Sequence, residues 1–252
     1  LRPLPKLFSL ERSRVSEPSV FIENAQKEAA EEEVFPGDPQ ADELLRQARR
    51  HIYHWPTAFK GFAAEMTFTI DGQVHRGRLN APEGIQIEAH WEESFDNRWV
   101  RFQLEELLSH RTAPEKSKIA SKTGCQMDDL DPIYGQKIVF VGDKMSSFYR
   151  IKDSKIAQIG RSYGKLEFII NIDAHHNLGA EERPAYAAAD YTAFYWNKAN
   201  GNLVKTETYR DHYILLDGLY LPQARRVSIA QDSKEQQLSV RRLEFHNHTL
   251  LG

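Results

Sequence analysis

Apolar and polar residues alternate strictly along several stretches of this chain, and this period of two is what most constrains its fold. From Phe62 to Ile70 every second residue is apolar and the residues between are mostly polar. Successive side chains of a strand point to opposite faces, so the pattern predicts a strand buried on one side. Asp71-Gly72 follows as a hairpin turn signal. The alternation then resumes up to Trp91, which predicts a three-stranded antiparallel meander.

The same period returns in the second half of the chain. Residues 137–172 and 191–251 read as short strands joined by turns, with turn signals at Gly142-Asp143, Lys152-Asp153, Gly164, Asn200-Gly201, Asp217-Gly218 and Asp232-Ser233. Strands follow strands without an intervening helix, which disfavours a parallel sheet. The sequence therefore predicts an α+β fold: a curved antiparallel β-sheet, an open or half barrel of about 9–11 strands, packed on one or two helices.

Two stretches have the 3.6-residue period of an amphipathic helix instead. In the first, Asp38 is a candidate N-cap and Pro39 a first helical residue, and Trp55-Pro56 predicts the end of the helix. Its apolar stripe consists of Ala41, Leu44, Leu45, Ala48 and Ile52. Residues 94–110 predict the second helix, with Ser94 or Asp96 as its cap.

Two further stretches lack a clear period. Residues 111–135 are either a functional lid or an unrecognised strand, for which 115–124 is the candidate. Residues 175–190 read as a loop or a short helix.

Residues 1–37 differ in composition from the rest. They combine several prolines with apolar residues in no regular period and an acidic run. This composition predicts an extended N-terminal arm that is either disordered or docked to a partner, followed by a single α+β half-barrel domain over 38–252. The partner-binding candidates in the arm are Leu4, Leu7, Phe8, Val20 and Phe21.

Charge and motifs exclude several classes of protein. The net charge of −3 gives no basic field for nucleic acid, and no apolar run approaches the length of a membrane span. The single cysteine, Cys125, rules out an internal disulfide, and the acidic residues that follow it disfavour a nucleophilic thiolate. The sequence also lacks the nucleophile elbow, the phosphate-binding glycine loops and the zinc-protease motif.

Three polar clusters are the remaining candidates for chemistry. On the last predicted strand, Glu244, His246 and His248 share one face if the alternation is unbroken, which fits either a metal site or an ordinary solvated face. Asp173, His175 and His176 form the second cluster. Tyr209, Asp211 and Tyr213 form the third and share one face of a predicted strand. The third is either a buried hydrogen-bond network or part of a site. We expect no metal, and we leave the cofactor open.

The chain also carries many large aromatic residues for its length. Such residues usually form the core, but in a half-open barrel they can line a cavity for an apolar ligand. The candidate ligand-binding residues are Trp55, Phe62, Met66, Phe68, Trp91, Trp99, Tyr149, Phe168, Phe194 and Trp196.

Three stretches, residues 55–80, 142–172 and 209–227, resemble the cyanobacterial and plant family called domain of unknown function 3386. The middle stretch is the most specific, through Gly142, Asp143, Met145, Ser147, Tyr149, Ile156, Gln158, Arg161, Gly164 and Phe168. The resemblance carries no catalytic or binding residues. It implies a photosynthetic organism and a place in the chloroplast, in the stroma or at the thylakoid, or the cyanobacterial equivalent. A start at Leu1 and the segment before Asp38 fit an imported form without its transit peptide.

These features together predict a non-catalytic binding protein of a photosynthetic organism, which holds a lipid, pigment or quinone in the half-barrel cavity. One alternative is a subunit or assembly factor of a larger complex, docked through residues 1–37. A second alternative is a small hydrolase or a metal-dependent enzyme that uses a histidine cluster.

Overall fold

A computed structural model of the chain describes residues 37–84, 86–112, 124–232 and 238–252. Within these residues, twelve antiparallel strands form one curved, unclosed sheet that is accompanied by two α-helices. The strands are β1 Gly61–Ile70, β2 Gln73–Pro82, β3 Glu88–Trp91, β4 Cys125–Asp131, β5 Gly135–Phe140, β6 Phe148–Lys152, β7 Lys155–Tyr163, β8 Leu166–Asn177, β9 Tyr186–Asn197, β10 Leu203–Leu216, β11 Leu219–Gln231 and β12 Leu238–Leu250; the helices are α1 Pro39–Arg50 and α2 Arg98–Ser109. The predicted fold class is confirmed.

The strand order places the first and last strands side by side in the sheet. The order is β3-β2-β1-β12-β11-β10-β9-β8-β7-β6-β5-β4, so β1 pairs with β12 and the two edges are β3 and β4. Apart from that junction, strands adjacent in the sheet are consecutive in the chain, as the short turn signals predict. The Asp71-Gly72 turn has positive φ at both residues, as a two-residue hairpin of this type requires.

Both helices pack on the same face of the sheet. Residues that are directly opposed on paired strands share a face of the sheet. One such row crosses the sheet through Ile138, Tyr149, Ile159, Ile170, Ala193, Glu207 and Ile229. Ile138 packs in one cluster with Leu45 of α1, and Ala193 packs in another with Trp99 of α2. We call this side the helix-bearing face and the other side the opposite face.

Helix α1 begins as its sequence indicates. The Asp38 carboxylate accepts a hydrogen bond from the backbone N–H of Gln40 at 2.8 Å, and Pro39 is the first helical residue. The predicted end at Trp55-Pro56 is wrong, because the helix stops at Arg50. Beyond that point Ile52 and Tyr53 join the start of β9, and the N–H of Tyr53 donates to the carbonyl of Tyr186 at 2.9 Å.

Helix α2 forms within the predicted range and contributes most of its apolar side chains to the largest core cluster. Val100, Leu104, Leu107 and Leu108 are buried there. The N-cap position is Asn97 instead of Ser94 or Asp96, and the Asn97 side chain makes no capping hydrogen bond. The Asp96 carboxylate nevertheless accepts a hydrogen bond from the backbone N–H of Arg98 at 3.3 Å. The partners of α2 in this cluster include Phe62, Met66, Phe68, Leu243 and Phe245 of β1 and β12.

The stretch 111–135 contains the strand that its sequence pattern conceals. Strand β4 occupies Cys125–Asp131, so a lid over the whole stretch is wrong; residues 113–123, which include most of the candidate strand 115–124, lie outside the described residues. Asp128 and Asp129 occupy this edge strand and form ion pairs with Lys137. Because acidic side chains stand where alternation would call for apolar ones, the period of two is lost.

The stretch 175–190 is mostly strand, so the prediction of a loop or a short helix is wrong. His175 and His176 continue β8 and pair with Ala188 and Ala187 of β9. Only 178–185 connects the two strands.

Candidate functional site

A β-bulge separates the histidines of the last strand. Asn247 has a φ of 51°, and the register of β12 against β1 shifts between Ala63 and Glu65. His248 is thereby turned onto the helix-bearing face, where its ring stacks on the buried ring of Phe62 at 5.9 Å between centroids. The shared face expected for Glu244, His246 and His248 is therefore wrong.

His248 is held as part of the core boundary. Its Nε2 lies 2.8 Å from the carbonyl oxygen of Pro222, and burial lowers the pKa of the ring. The neutral imidazole is favoured by this environment.

Glu244 and His246 remain on the opposite face, beside a shallow depression of about 240 Å³. Ala224 lies directly between His212 of β10 and Glu244 of β12, and its small side chain leaves room for the depression. Arg242 forms an ion pair with Glu244 at 2.7 Å. The depression is thus a polar surface feature whose carboxylate already has a partner.

The histidines of β8 also point apart. Nε2 of His175 lies 3.1 Å from the carbonyl oxygen of Ile156, whereas Nε2 of His176 lies 2.8 Å from that of Asp211. Across residues 37–84, 86–112, 124–232 and 238–252, no group of three or more His, Cys, Asp and Glu side chains is arranged to hold a metal ion.

The third cluster is a buried network on the helix-bearing face. The shared face of Tyr209, Asp211 and Tyr213 is confirmed: all three project toward the helices. Asp211 accepts two hydrogen bonds from Arg225, at 2.8 Å from Nε and 2.7 Å from Nη2.

Arg225 is satisfied by further groups around it. Its Nη1 donates to the side-chain oxygen of Gln103 on α2 at 3.0 Å, and its Nη2 donates to the hydroxyl of Tyr191 at 2.9 Å. The ring of Tyr209 lies beneath the guanidinium at 5.4 Å and stacks on the ring of Tyr191 at 4.6 Å. The arrangement joins helix α2 to three strands.

A second polar group lies beside it. The Glu207 carboxylate accepts hydrogen bonds from the hydroxyls of Tyr195 and Tyr209, both at 2.9 Å, and Lys205 lies 3.1 Å from its other oxygen. Burial, with the neighbouring Glu207 charge, raises the pKa of both phenols, which keeps them protonated as donors. A phenol that cannot lose its proton is a poor general base, so this arrangement favours a structural role.

Sequence reasoning missed Arg225, Glu207 and the tyrosines of β9. A signal for Arg225 exists, because it alternates with Val227 and Ile229 and so places a charge on the apolar side of a strand. A charge in such a position requires a partner, and the nearest carboxylate of that parity on the preceding strand is Asp211.

The aromatic candidates are divided among different surroundings. Trp55, Phe62, Met66 and Phe68 are buried in the core beneath α2, with Trp91 and Trp99 packed against them, and Tyr149 packs beneath α1. Phe194 and Trp196 stack on each other at 5.8 Å and belong to the opposite face, since Phe194 is opposed to Ile169 there. The ligand-binding role of these residues stays a prediction.

An apolar strip lies on the helix-bearing face between the strands beneath α1 and those beneath α2. We define the apolar strip as Ile159 of β7 with Phe168, Ile170 and Ile172 of β8, all half-buried. Ile170 reaches the cluster around Tyr209, but Ile159, Phe168 and Ile172 belong to none of the core clusters of the described residues. These apolar side chains lie on the helix-bearing face between the cluster beneath α1 and the cluster that contains Trp99 of α2.

Cys125 is buried beneath α1 and is not activated. Burial and the nearby Asp42 carboxylate raise the pKa of its thiol to about 11. The protonated thiol is inert, as a structural cysteine should be.

The predicted partner-binding arm remains without a structural outcome. The arm candidates Leu4, Leu7, Phe8, Val20 and Phe21 lie outside the described residues, so partner binding through residues 1–37 stays a prediction. Neither helix within the described part of the chain has the length and apolar character to cross a membrane.

Comparison with known proteins gives a family and a distant structural likeness. The model of the family described as "Protein of unknown function (DUF3386)" matches residues 37–251. No curated protein matches the sequence. The crystal structure of a DUF1329 family protein from Desulfovibrio piger ATCC 29098 is similar with a TM-score of 0.25 and 8% identity, over 86% of this chain and 94% of that chain. A likeness at that score carries no argument about function.

Proposed function

The chain belongs to the DUF3386 family of unknown function, and we propose that it is a non-catalytic binding protein that holds an apolar ligand against its helix-bearing face. The observation that carries the proposal is the apolar strip. Ile159, Phe168 and Ile172 lie on the face where other apolar side chains are packed beneath helices, yet they join no core cluster in the part of the chain that the structure describes. Covering such a surface with an apolar ligand is favourable by about 25 cal/mol per Å² of area removed from water.

The polar groups near the strip favour binding over catalysis. Tyr195 and Tyr209 are committed to Glu207, and Arg225 is committed to Asp211. These interactions hold the side chains in place before a ligand binds, and such preorganisation reduces the ordering cost of binding. A depression of about 240 Å³ beside Ala224 and another of about 290 Å³ beside Leu203 and Leu238 lie away from the strip, so we place the ligand along the face of the open sheet.

The ligand classes that fit are a lipid, a pigment or a quinone, because each presents an extended apolar surface. A photosynthetic setting, in the chloroplast or its cyanobacterial equivalent, is part of the proposal and rests on the family resemblance alone.

The test is native mass spectrometry of the gently isolated protein before and after denaturation. The proposal expects an added mass that leaves on denaturation and is recovered in an organic extract. If no small molecule co-purifies and delipidated protein takes up neither hexadecan-1-ol nor a quinone, the proposal fails.

Adjacent isoleucines of β8 offer a matched pair of variants for this test. Ile172 lies on the strip, whereas Ile169 is half-buried on the opposite face of the same strand. Ile172→Gln should lower the amount of bound ligand and Ile169→Gln should not. Equal loss in both variants would argue against binding at the strip.

A further inference from the structure

Arg161 lies at one end of the apolar strip. It alternates with Ile159 along β7 and is directly opposed to Phe168 of β8, which is in turn opposed to Tyr195 of β9. The guanidinium is half-buried on the helix-bearing face, beside the side chains that we propose to cover with a ligand.

Arg225 and Arg111, the two fully buried arginines of the described residues, have partners that account for their charge. Arg225 has the Asp211 carboxylate. Arg111 donates to the hydroxyl of Tyr213 at 2.8 Å and directly follows the carboxyl end of α2, whose carbonyl groups carry partial negative charge.

Arg161 has no such partner within the described residues. Its Nη2 donates to the hydroxyl of Tyr149 at 3.2 Å, and its buried Nε has no acceptor. Asp143 is the nearby carboxylate. Burial opposes its charge, but hydrogen bonds from Ser147 and Met145, with a smaller contribution from the Arg161 charge, lower its pKa, and it forms no ion pair with Arg161. A half-buried cation without a counter-ion calls for an anion.

We propose that Arg161 binds the carboxylate of a long-chain fatty acid whose hydrocarbon chain lies along the apolar strip. This inference rests on the proposed function and names its ligand class. From Arg161 the strip continues past Phe168 to Ile172, about 13 Å along β8. The head of the ligand and its chain thus have adjoining places on one face.

The charge of the site selects a monoanion. Arg161 forms no ion pair within the described residues, and its planar fork matches the two oxygens of a carboxylate. Lys205 of β10 is opposed to Tyr195 and so continues the row of residues from Arg161 and Phe168. It already forms an ion pair with Glu207 and adds no free charge.

The experiment compares two probes of equal chain length on the delipidated full chain at pH 8: hexadecanoic acid and hexadecan-1-ol. Because hydrogen bonds to charged groups are the strong ones, the acid should bind roughly 10- to 100-fold more tightly than the alcohol. Arg161→Gln should remove that preference and leave alcohol binding unchanged, and Arg161→Lys should retain part of it.

Arg226→Gln is the matched control, since Arg226 is exposed on the opposite face, opposed to Arg210 and Arg242, and takes part in none of the described ion pairs. It removes the same charge and should keep the preference for the acid. A loss of preference in this control would assign the effect to net charge and overturn the role of Arg161.

The remaining outcomes separate the two proposals. Absence of binding for both probes overturns the proposed function itself. Equal binding of acid and alcohol by the wild-type protein overturns the Arg161 site and leaves apolar binding intact. This outcome does not depend on whether any variant folds. Tighter binding of a phosphodiester lipid than of the acid overturns the assignment to a carboxylate.

Discussion

Asp211 and Arg225 face each other on adjacent strands and form an ion pair joined by two hydrogen bonds, with side chains only 2% and 4% exposed. Gln103 ties the same guanidinium to α2 at 3.0 Å. Because the pair is buried, each charge depends on the other for compensation. Its removal therefore tests how strongly the helix is joined to the sheet.

Asp211→Ala and Arg225→Ala should each lower the free energy of unfolding by about 3–5 kcal/mol, because each leaves an uncompensated buried charge. The double variant should lose clearly less than the sum, since both single changes break one interaction. Urea denaturation of the four proteins measures the coupling.

Arg210→Ala provides the control on the same strand. Arg210 and Asp190 form an exposed pair at 2.6 Å, with side chains 61% and 38% exposed, and such pairs contribute less than about 1 kcal/mol. A loss equal to that of Arg225→Ala would contradict the importance of burial.

The phenols that donate to Glu207 should also contribute to stability. Tyr195→Phe and Tyr209→Phe each remove one hydrogen bond to the carboxylate, and we expect a loss of about 1.5–3 kcal/mol for each. Thermal unfolding followed by circular dichroism measures it. A variant as stable as the wild-type protein would mean that Glu207 does not need that donor.

Most of the sheet follows from residue patterns because its strands are half-buried. The alternation from Phe62 to Ile70 is the pattern of β1, and the turn signals mark the connections from β5 to β12 except the one between β8 and β9. The sequence pattern does not reveal strand β4, because Asp128 and Asp129 stabilise this edge strand through ion pairs with Lys137 instead of apolar packing. An edge strand needs charges that an interior strand avoids.

The candidate sites were harder to predict because they depend on single backbone angles and on pairings distant in sequence. A positive φ at Asn247 reverses the face of His248, and no count of residue spacing contains that angle. In the sequence alone, Arg161 stands out only as one residue of the family pattern. That it forms no ion pair with any described residue becomes visible only in the structure, where Phe168 and Tyr149 lie beside it.

The bulge at Asn247 provides a test of this geometry. Asn247→Val should lower the free energy of unfolding by about 1–2 kcal/mol, because a β-branched residue is strained at a φ of 51°. Asn247→Gly should be close to neutral, since glycine tolerates this angle and the lost bond from the Asn247 side chain to Glu65 is exposed.

The ring of His248 reports on the same bulge. Burial lowers its pKa in the wild-type protein, and a bulge displaced by Asn247→Val should bring the pKa back toward the ordinary value of 6.5. An NMR titration of the ring measures this change. An unaltered pKa in a destabilised valine variant would show that the bulge persists and bears the strain.

Cys125 should make stability depend on alkaline pH. Burial and the Asp42 carboxylate raise the pKa of the folded thiol to about 11, above its ordinary value of 9.0. Between these values the unfolded chain releases the proton and the folded chain keeps it, so stability that is present below pH 9 is lost as the pH rises toward 11. Two pKa units correspond to about 2–3 kcal/mol.

The stability gap between the wild-type protein and Cys125→Ala, measured in urea, should narrow by that amount from pH 8 to pH 11, because the packing loss in the variant does not titrate. A gap that stays constant would mean that the thiol ionises equally easily in both states and that water reaches it beneath α1.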